Sequence, residues 1–419
     1  MALGIFIVTY LFIAGVKLPR VKLDRTGGAL LGAVAMIVVG IVTPDEALSR
    51  AADPSRRAVD GDTLVLLFGM MVLAAYLSEA AFFRAAAYHA VRVARTPRTL
   101  LVAISFVSAA LSAILVNDTI CVMLTPLVLA VVDEAELPPL PYLLALCMSS
   151  NAGSVATFTG NPQNMLIQGA AGMSYARFLS AMLLPAAIST AVVVAFLLWA
   201  FRRQLPKAPI RPHPSPPPVD RPLLVLGSVA LLGVVVAFFL DLPMGWTALA
   251  GAALVMGLSG KEPRRALERV DFILLVFFAA LFVVVYGVNK EGWAERMRDL
   301  FAPLLGGSAL PQAWGFAALS LVASNVFSNV PFVMLARHWV PALVAPQLGW
   351  EVLALSSTLA GNLTLVGSVA NLIVFEIARN RYRVTFLEYA RVGVPVTLLS
   401  LALGMGALLL EHSLVLGVR

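Results

Sequence analysis

The chain has 419 residues, of which 60% are hydrophobic and 13% charged, with a mean hydropathy of +0.90. A soluble domain is nearer half apolar and a quarter charged, so a soluble globular fold is excluded. The net charge of +7 reads as loop charge rather than a nucleic-acid surface, and Cys121 and Cys147, both in apolar runs, give no disulfide framework.

The apolar residues fall in runs of roughly 16 to 24, separated by short charged loops. That is the pattern of a polytopic α-helical membrane protein, because a spanning helix takes about 20 apolar residues. The first run, "ALGIFIVTYLFIAGV", has no basic residue before it and "KLPRVKLDR" after it. A signal peptide has the opposite charge order, so a first transmembrane helix is predicted over 2–18. Further spans are predicted at 28–43, 62–80, 177–200, 222–240, 245–259, 271–289 and 390–411. Residues 99–132 and 310–342, each about 34 long and broken by polar residues, are too long for one span and too short for two. They predict re-entrant helical hairpins. Residues 139–170 and 350–378 are over-long and interrupted by Gly and Asn, which predicts two broken helices. "RRQLPKAPIRPHPSPPPVDR", 202–221, is rich in proline and charge and reads as an extended linker.

The halves on either side of that linker match. "VDGDTLVLLF" from Val59 aligns with "VDFILLVFFA" from Val270. "SAILVNDTICVML" from Ser112 aligns with "SNVFSNVPFVMLA" from Ser324, pairing Asn117 with Asn329. "TFTGNPQNMLI" from Thr157 aligns with "TLVGSVANLIV" from Thr364, where Thr, Gly and Asn recur at one spacing. Two repeats are therefore predicted, 1–201 and 222–419. Five crossings per half invert the second repeat. With both termini outside, 21 of the 30 Lys and Arg residues fall on the inner side, in 17–25, 84–98, the linker, 261–269 and 379–391. The positive-inside rule supports that orientation. It places Ser215 and Arg381 inside and Lys290 outside. The expected architecture is an all-α polytopic protein of the inner membrane: about ten transmembrane helices, two re-entrant hairpins and two broken helices.

Irregular backbone at membrane depth is tolerated only where protein or a water-filled cavity surrounds it. Paired interruptions in inverted repeats point to a secondary transporter with its site near the midplane. The interruptions here are "VNDT" (Val116–Thr119) and "SNVP" (Ser328–Pro331) at the hairpin tips, and "TGNPQN" (Thr159–Asn164) and "VGSVAN" (Val366–Asn371) in the broken helices. Asn117 and Asn329 can donate and accept hydrogen bonds and are the foremost ligand candidates. Ser112, Thr119, Thr159, Gly160, Asn161, Ser328, Val366, Gly367 and Ser368 complete two related sites, chiefly through hydroxyl and backbone groups. Asn164 and Asn371 suit either ligation or tying the broken helices together. Asp118 is read as the proton or cation carrier, since a midplane carboxylate is functional by default; helix capping is its structural alternative. Arg337 suits an outer vestibule or snorkelling. The four histidines show no metal spacing, and no cofactor is expected.

The motifs resemble the ion transporter superfamily. "NDTICVMLTPLVLAVV" resembles the first hairpin of arsenite permeases, and "TLVGSVANLIV" their second broken helix. "TFTGNPQN" is closer to the loop of the P-protein and divalent-anion/sodium symporter branches. The resemblance covers nearly the whole chain and implies a homodimer with elevator-like movement of the hairpin-bearing domain. Dicarboxylate symporters carry Ser-Asn-Thr at both tips. Val-Asn-Asp and Ser-Asn-Val stand there in this chain, which points away from dicarboxylates. Asp118 beside the site suits a neutral solute, a cation or proton exchange. The favoured expectation is efflux of a small inorganic anion or oxyanion of the arsenite or antimonite type, coupled to protons or membrane potential. Sodium-coupled dicarboxylate or sulfate symport and Na+/H+ antiport are the alternatives. No Walker A motif appears. "GLSG" at Gly257–Gly260 resembles an intramembrane-protease motif, but Ser259 opens a charged loop. A passive channel is the other non-carrier reading.

Overall fold

The structure is a computed structural model that describes residues 1–13, 23–50, 53, 56–206, 209 and 216–416, and all its regular elements are helical. Ser215, with residues 207–208 and 210–214 of the linker, lies outside the described residues. The first half runs α1 (Ala2–Ile13), α2 (Arg25–Val38), α3 (Pro44–Ala47), α4 (Gly61–Glu79), α5 (Phe82–Val93), α6 (Pro97–Ile114), α7 (Asn117–Glu134), α8 (Pro139–Ser154), α9 (Pro162–Ala171) and α10 (Tyr175–Ala200). The second half runs α11 (Arg221–Phe239), α12 (Met244–Leu258), α13 (Pro263–Leu267), α14 (Phe272–Lys290), α15 (Trp293–Leu300), α16 (Ala302–Leu305), α17 (Ala309–Phe327), α18 (Asn329–Ala336), α19 (Pro346–Ala360), α20 (Val369–Ile377) and α21 (Phe386–Leu416). Apart from α16, the two orders correspond helix for helix.

Each run read as a span contains one helix. Among the described residues, α4, α6, α10, α11, α14 and α21 are long and apolar enough to cross a bilayer, while α1, α2 and α12 are shorter apolar helices. The four irregular segments resolve into pairs. Residues 99–132 hold α6 and α7, which turn at Leu115 and Val116, and 310–342 hold α17 and the eight-residue α18. The segments 139–170 and 350–378 are helices broken by a single tight turn, at Phe158–Gly160 and Leu365–Gly367.

Local chemistry explains the boundaries. Thr96 and Thr99 form a capping box around Pro97 and start α6. Pro162 opens α9, where its missing N–H is no loss, and the Asn161 Oδ1 accepts from the Asn164 N–H at 2.9 Å. Ser368 caps α20 in the same way through the Ala370 N–H at 3.2 Å. Asp60 and Asp271, paired by the repeat, accept from the Thr63 and Leu274 N–H groups and start α4 and α14.

The halves exchange partners in the packing. α2 lies on α14 and α12 on α4, while α10 packs along α21, each with an interior proline, Pro185 and Pro395. α6 packs closely on α8. A Cβ on Gly153 would sit 2.2 Å from the Ala109 carbonyl oxygen, so only glycine permits that approach. Two elements were not anticipated. α5 buries Phe83 and Val91 and exposes Arg84, His89 and Arg92; it and α15 are short amphipathic helices in stretches that read as charged loop. Between α2 and α4, Glu46 is buried. Burial pushes its carboxyl up, but hydrogen bonds from Lys290, the Thr43 N–H and Arg56 prevail and hold it at about 2. Lys290 is thereby committed to an ion pair, at 2.8 Å.

Candidate functional site

Four helix starts converge on one cavity. α7 contributes Asn117 and Asp118, and α9 contributes Pro162 and Gln163. The second hairpin supplies Ser328 to Val330, and the second break Gly367 to Val369. Phe277 and Phe278 of α14 form an apolar wall. The cavity offers about 30 Å³ to the centres of water-sized molecules, room for about two, since one needs roughly 10–15 Å³. The N-termini of α7 and α18 carry no side-chain cap, so their first N–H groups remain available and bring partial positive charge to the cavity.

The side chains bring acceptors. Asn117 and Asn329 are only 4% and 7% exposed, and the Oδ1 of each has no hydrogen-bond partner. An orphaned buried acceptor costs about 1–3 kcal/mol, and here it occurs at both repeat-related positions facing one space. Asp118, 8% exposed, is the one charged residue lining this cavity among the described residues. Its carboxylate makes no capping bond to α7. It also lines an adjoining cavity with Thr119, Arg269 and Asp271. Arg269 donates to the Ser78 hydroxyl at 3.1 Å.

Asn151, in α8, fixes this geometry. Its Oδ1 accepts from Asn117 Nδ2 at 3.0 Å and from the Ser368 hydroxyl at 3.2 Å. Its Nδ2 donates to Asn362 and Asn371 at 2.9 and 3.2 Å. One side chain thus joins the first hairpin tip to the second broken helix. Thr358 holds the repeat-related place and accepts from Asn161 and Gln163 of the first break at 3.2 and 3.3 Å.

Of the sequence candidates, Asn117, Asp118, Ser328, Asn329, Gly367 and Ser368 line the central cavity. Thr119 lines the Asp118 side cavity, and Val366, about half exposed, lines a separate cavity on the other side of the second hairpin tip. The others stand behind. Ser112 bonds the Ser150 hydroxyl at 2.6 Å, and Thr159 donates to the Ile114 carbonyl at 3.4 Å. A Cβ on Gly160 would meet the Ser154 carbonyl oxygen at 2.2 Å. Asn161 donates to the Ser154 hydroxyl at 2.9 Å.

Asn164 and Asn371 are braces. Asn164 Nδ2 donates to the Ser154 and Thr157 carbonyls at 3.2 and 2.9 Å, and Asn371 Nδ2 to the Gly361 and Thr364 carbonyls at 2.7 and 3.1 Å. Each ties the helix end and the tight turn before it to the helix that follows. Arg337 lies 3.8 Å from Asp60. Ser259 donates to the Met256 carbonyl at 3.4 Å, within the turn that ends α12. Cys121 and Cys147 are buried and free.

Ser328 has φ +71° and ψ 155°. That is backbone which glycine favours, and serine holds it at a cost of about 1–3 kcal/mol. The strain sits at a hairpin tip, facing the cavity.

Hairpin tips meeting helix breaks across two related halves define an inverted-repeat transporter. The family described as "Citrate transporter" matches residues 9–360, and the chain belongs to it. The chain is 32% identical to the rice (Oryza sativa subsp. japonica) silicon efflux transporter LSI3, over 96% of each protein. It is 26% identical to the putative transporter arsB of Dictyostelium discoideum, over 96% of this chain and 90% of that one. Among solved structures, the Alcanivorax borkumensis YdaH transporter superposes with a TM-score of 0.62 at 15% identity, covering 99% of this chain and 97% of the other. That last likeness concerns the fold alone.

Proposed function

We propose that this protein is a proton-coupled exporter of a small, neutral or weakly acidic oxyacid of the arsenous or silicic acid type. One observation carries the reading: the cavity holds two unpartnered asparagine oxygens and a carboxylate, with no cationic side chain among the described residues lining it. Hydroxyl groups of such a solute donate to Asn117 and Asn329, while its remaining oxygen lone pairs meet helix N-termini. A carboxylate at 4 Å repels each unit of negative charge by about 4 kcal/mol at an effective dielectric of 20. That disfavours a di- or trianion. The names of the silicon and arsB relatives support the same class. The runner-up is sodium-coupled anion symport, favoured by the family's description.

The test is flux into proteoliposomes at pH 7. Labelled arsenite is expected to enter saturably and to be unaffected by a hundredfold excess of citrate or sulfate. Saturable, Na+-dependent citrate flux without arsenite flux overturns the reading in favour of the symporter.

The reading includes a homodimer in the inner membrane, with both termini outside and the hairpin-bearing helices moving against α1, α2, α4, α11, α12 and α14. Orientation is testable with impermeant thiol reagents, because both native cysteines are buried. Lys290 is a poor reporter since it holds Glu46. Asp299 and Arg264, with side chains 68% and 80% exposed, serve instead. A cysteine at 299 is expected to label on intact cells and one at 264 only after permeabilisation. Labelling at 264 from outside overturns the orientation.

A further inference from the structure

A second cavity adjoins the central one across the tip of the second hairpin, and Ser328 lines both. Its walls are Tyr10 and Ile13 of α1, Arg25 at the start of α2, Asn325 to Ser328, and Val366. It offers about 70 Å³ to water-sized centres, or about five such molecules, which matches the heavy-atom count of sulfate or phosphate. Arg25 is the one charged residue lining it, and no carboxylate among the described residues pairs with Arg25. Tyr10 is 7% exposed, and its hydroxyl is buried without a hydrogen-bond partner. Ser328 makes no capping bond to α18, so its hydroxyl is available at a helix N-terminus. Asn325 is occupied: it donates to the Leu321 and Ala360 carbonyls at 3.0 Å each and accepts from Thr364 at 3.0 Å. Phe327 packs edge-on to Tyr10 with ring centroids 5.6 Å apart, which closes the apolar side.

The available groups are therefore a full positive charge and two hydroxyl donors. This is the opposite of the central cavity, where acceptors and Asp118 dominate. We propose that Arg25, Tyr10 and Ser328 form a second binding site, for a small inorganic oxyanion carrying full negative charge. A guanidinium presents paired donors to an oxyanion and makes short, charge-assisted bonds with it. The Tyr10 hydroxyl supplies a donor that has no other use, and the N-terminus of α18 adds partial positive charge behind Ser328. The site stands whatever solute occupies the central cavity.

The test is equilibrium dialysis of purified full-length protein in nanodiscs against labelled sulfate and labelled phosphate. At least one ion is expected to bind saturably, one per protomer. Arg25→Gln should weaken that binding at least about tenfold, the loss of one charge-assisted contact. Arg25→Lys should recover part of it, and Tyr10→Phe should weaken it about threefold. A hundredfold excess of arsenite should leave the ion bound. Absence of saturable binding of either ion to the wild type overturns the proposal. So does wild-type affinity in Arg25→Gln, and so does displacement by arsenite, which puts the ion in the central cavity. If Arg25→Gln does not elute as a folded protein, Tyr10→Phe decides, since it removes only an unpartnered hydroxyl.

Discussion

Alanine at Asn117 or Asn329 is expected to cut transport about a hundredfold while the protein still inserts in the membrane. Each substitution removes an unpartnered acceptor facing the cavity, and leaving a solute hydroxyl unpaired there costs about 1–3 kcal/mol. The two variants should differ in stability. Asn117 also donates to Asn151 at 3.0 Å, so Asn117→Ala should lose a further 1 kcal/mol or so and melt at lower temperature. The Asn329 side chain makes no hydrogen bond among the described residues, so Asn329→Ala should melt near the wild type. Flux and thermal unfolding in detergent check both points. Wild-type flux in either variant contradicts the role, and loss of flux in Asn329→Ala through misfolding alone would make that residue structural.

Asp118→Asn has the next largest expected effect. The carboxylate lies between the central cavity and the one it shares with Arg269 and Asp271, so it is placed to carry a proton from one to the other. The amide keeps the shape and removes the titratable group. The variant is expected to bind solute and to exchange labelled for unlabelled solute at near wild-type rate, yet to lose accumulation driven by a pH gradient. Unchanged pH-driven accumulation removes Asp118 from the coupling. Loss of exchange as well makes Asp118 a solute ligand rather than a proton carrier.

The hairpins and breaks were legible because polar residues stand out in an apolar run, and because the repeat places Asn117 with Asn329 and Gly160 with Gly367. Ligation and bracing were not separable from sequence. Asn164 lies in the same polar stretch as Asn161 and Asn371 in that of Ser368, and only the direction of their side chains assigns them to carbonyls across the break. Asn151 and Thr358 were missed, although the spacing that pairs Thr157 with Thr364 also pairs them. They sit about two turns before the tight turns, in the helical arm of each broken segment rather than at the break itself. α5 and α15 were invisible to a search for spans because twelve and eight residues are too short to cross. The buried Glu351, which meets His412 and lies 3.8 Å from Arg177, joins three helices far apart in sequence and leaves no local signal.

The central claim is that the transported solute sits between the two hairpin tips. Anomalous diffraction at the arsenic edge, from crystals of the protein grown with arsenite, tests it most directly. The account predicts one arsenic peak within hydrogen-bonding reach of Asn117 and Asn329, beside Asp118. A peak at Cys121 and Cys147, with none between the tips, would contradict it.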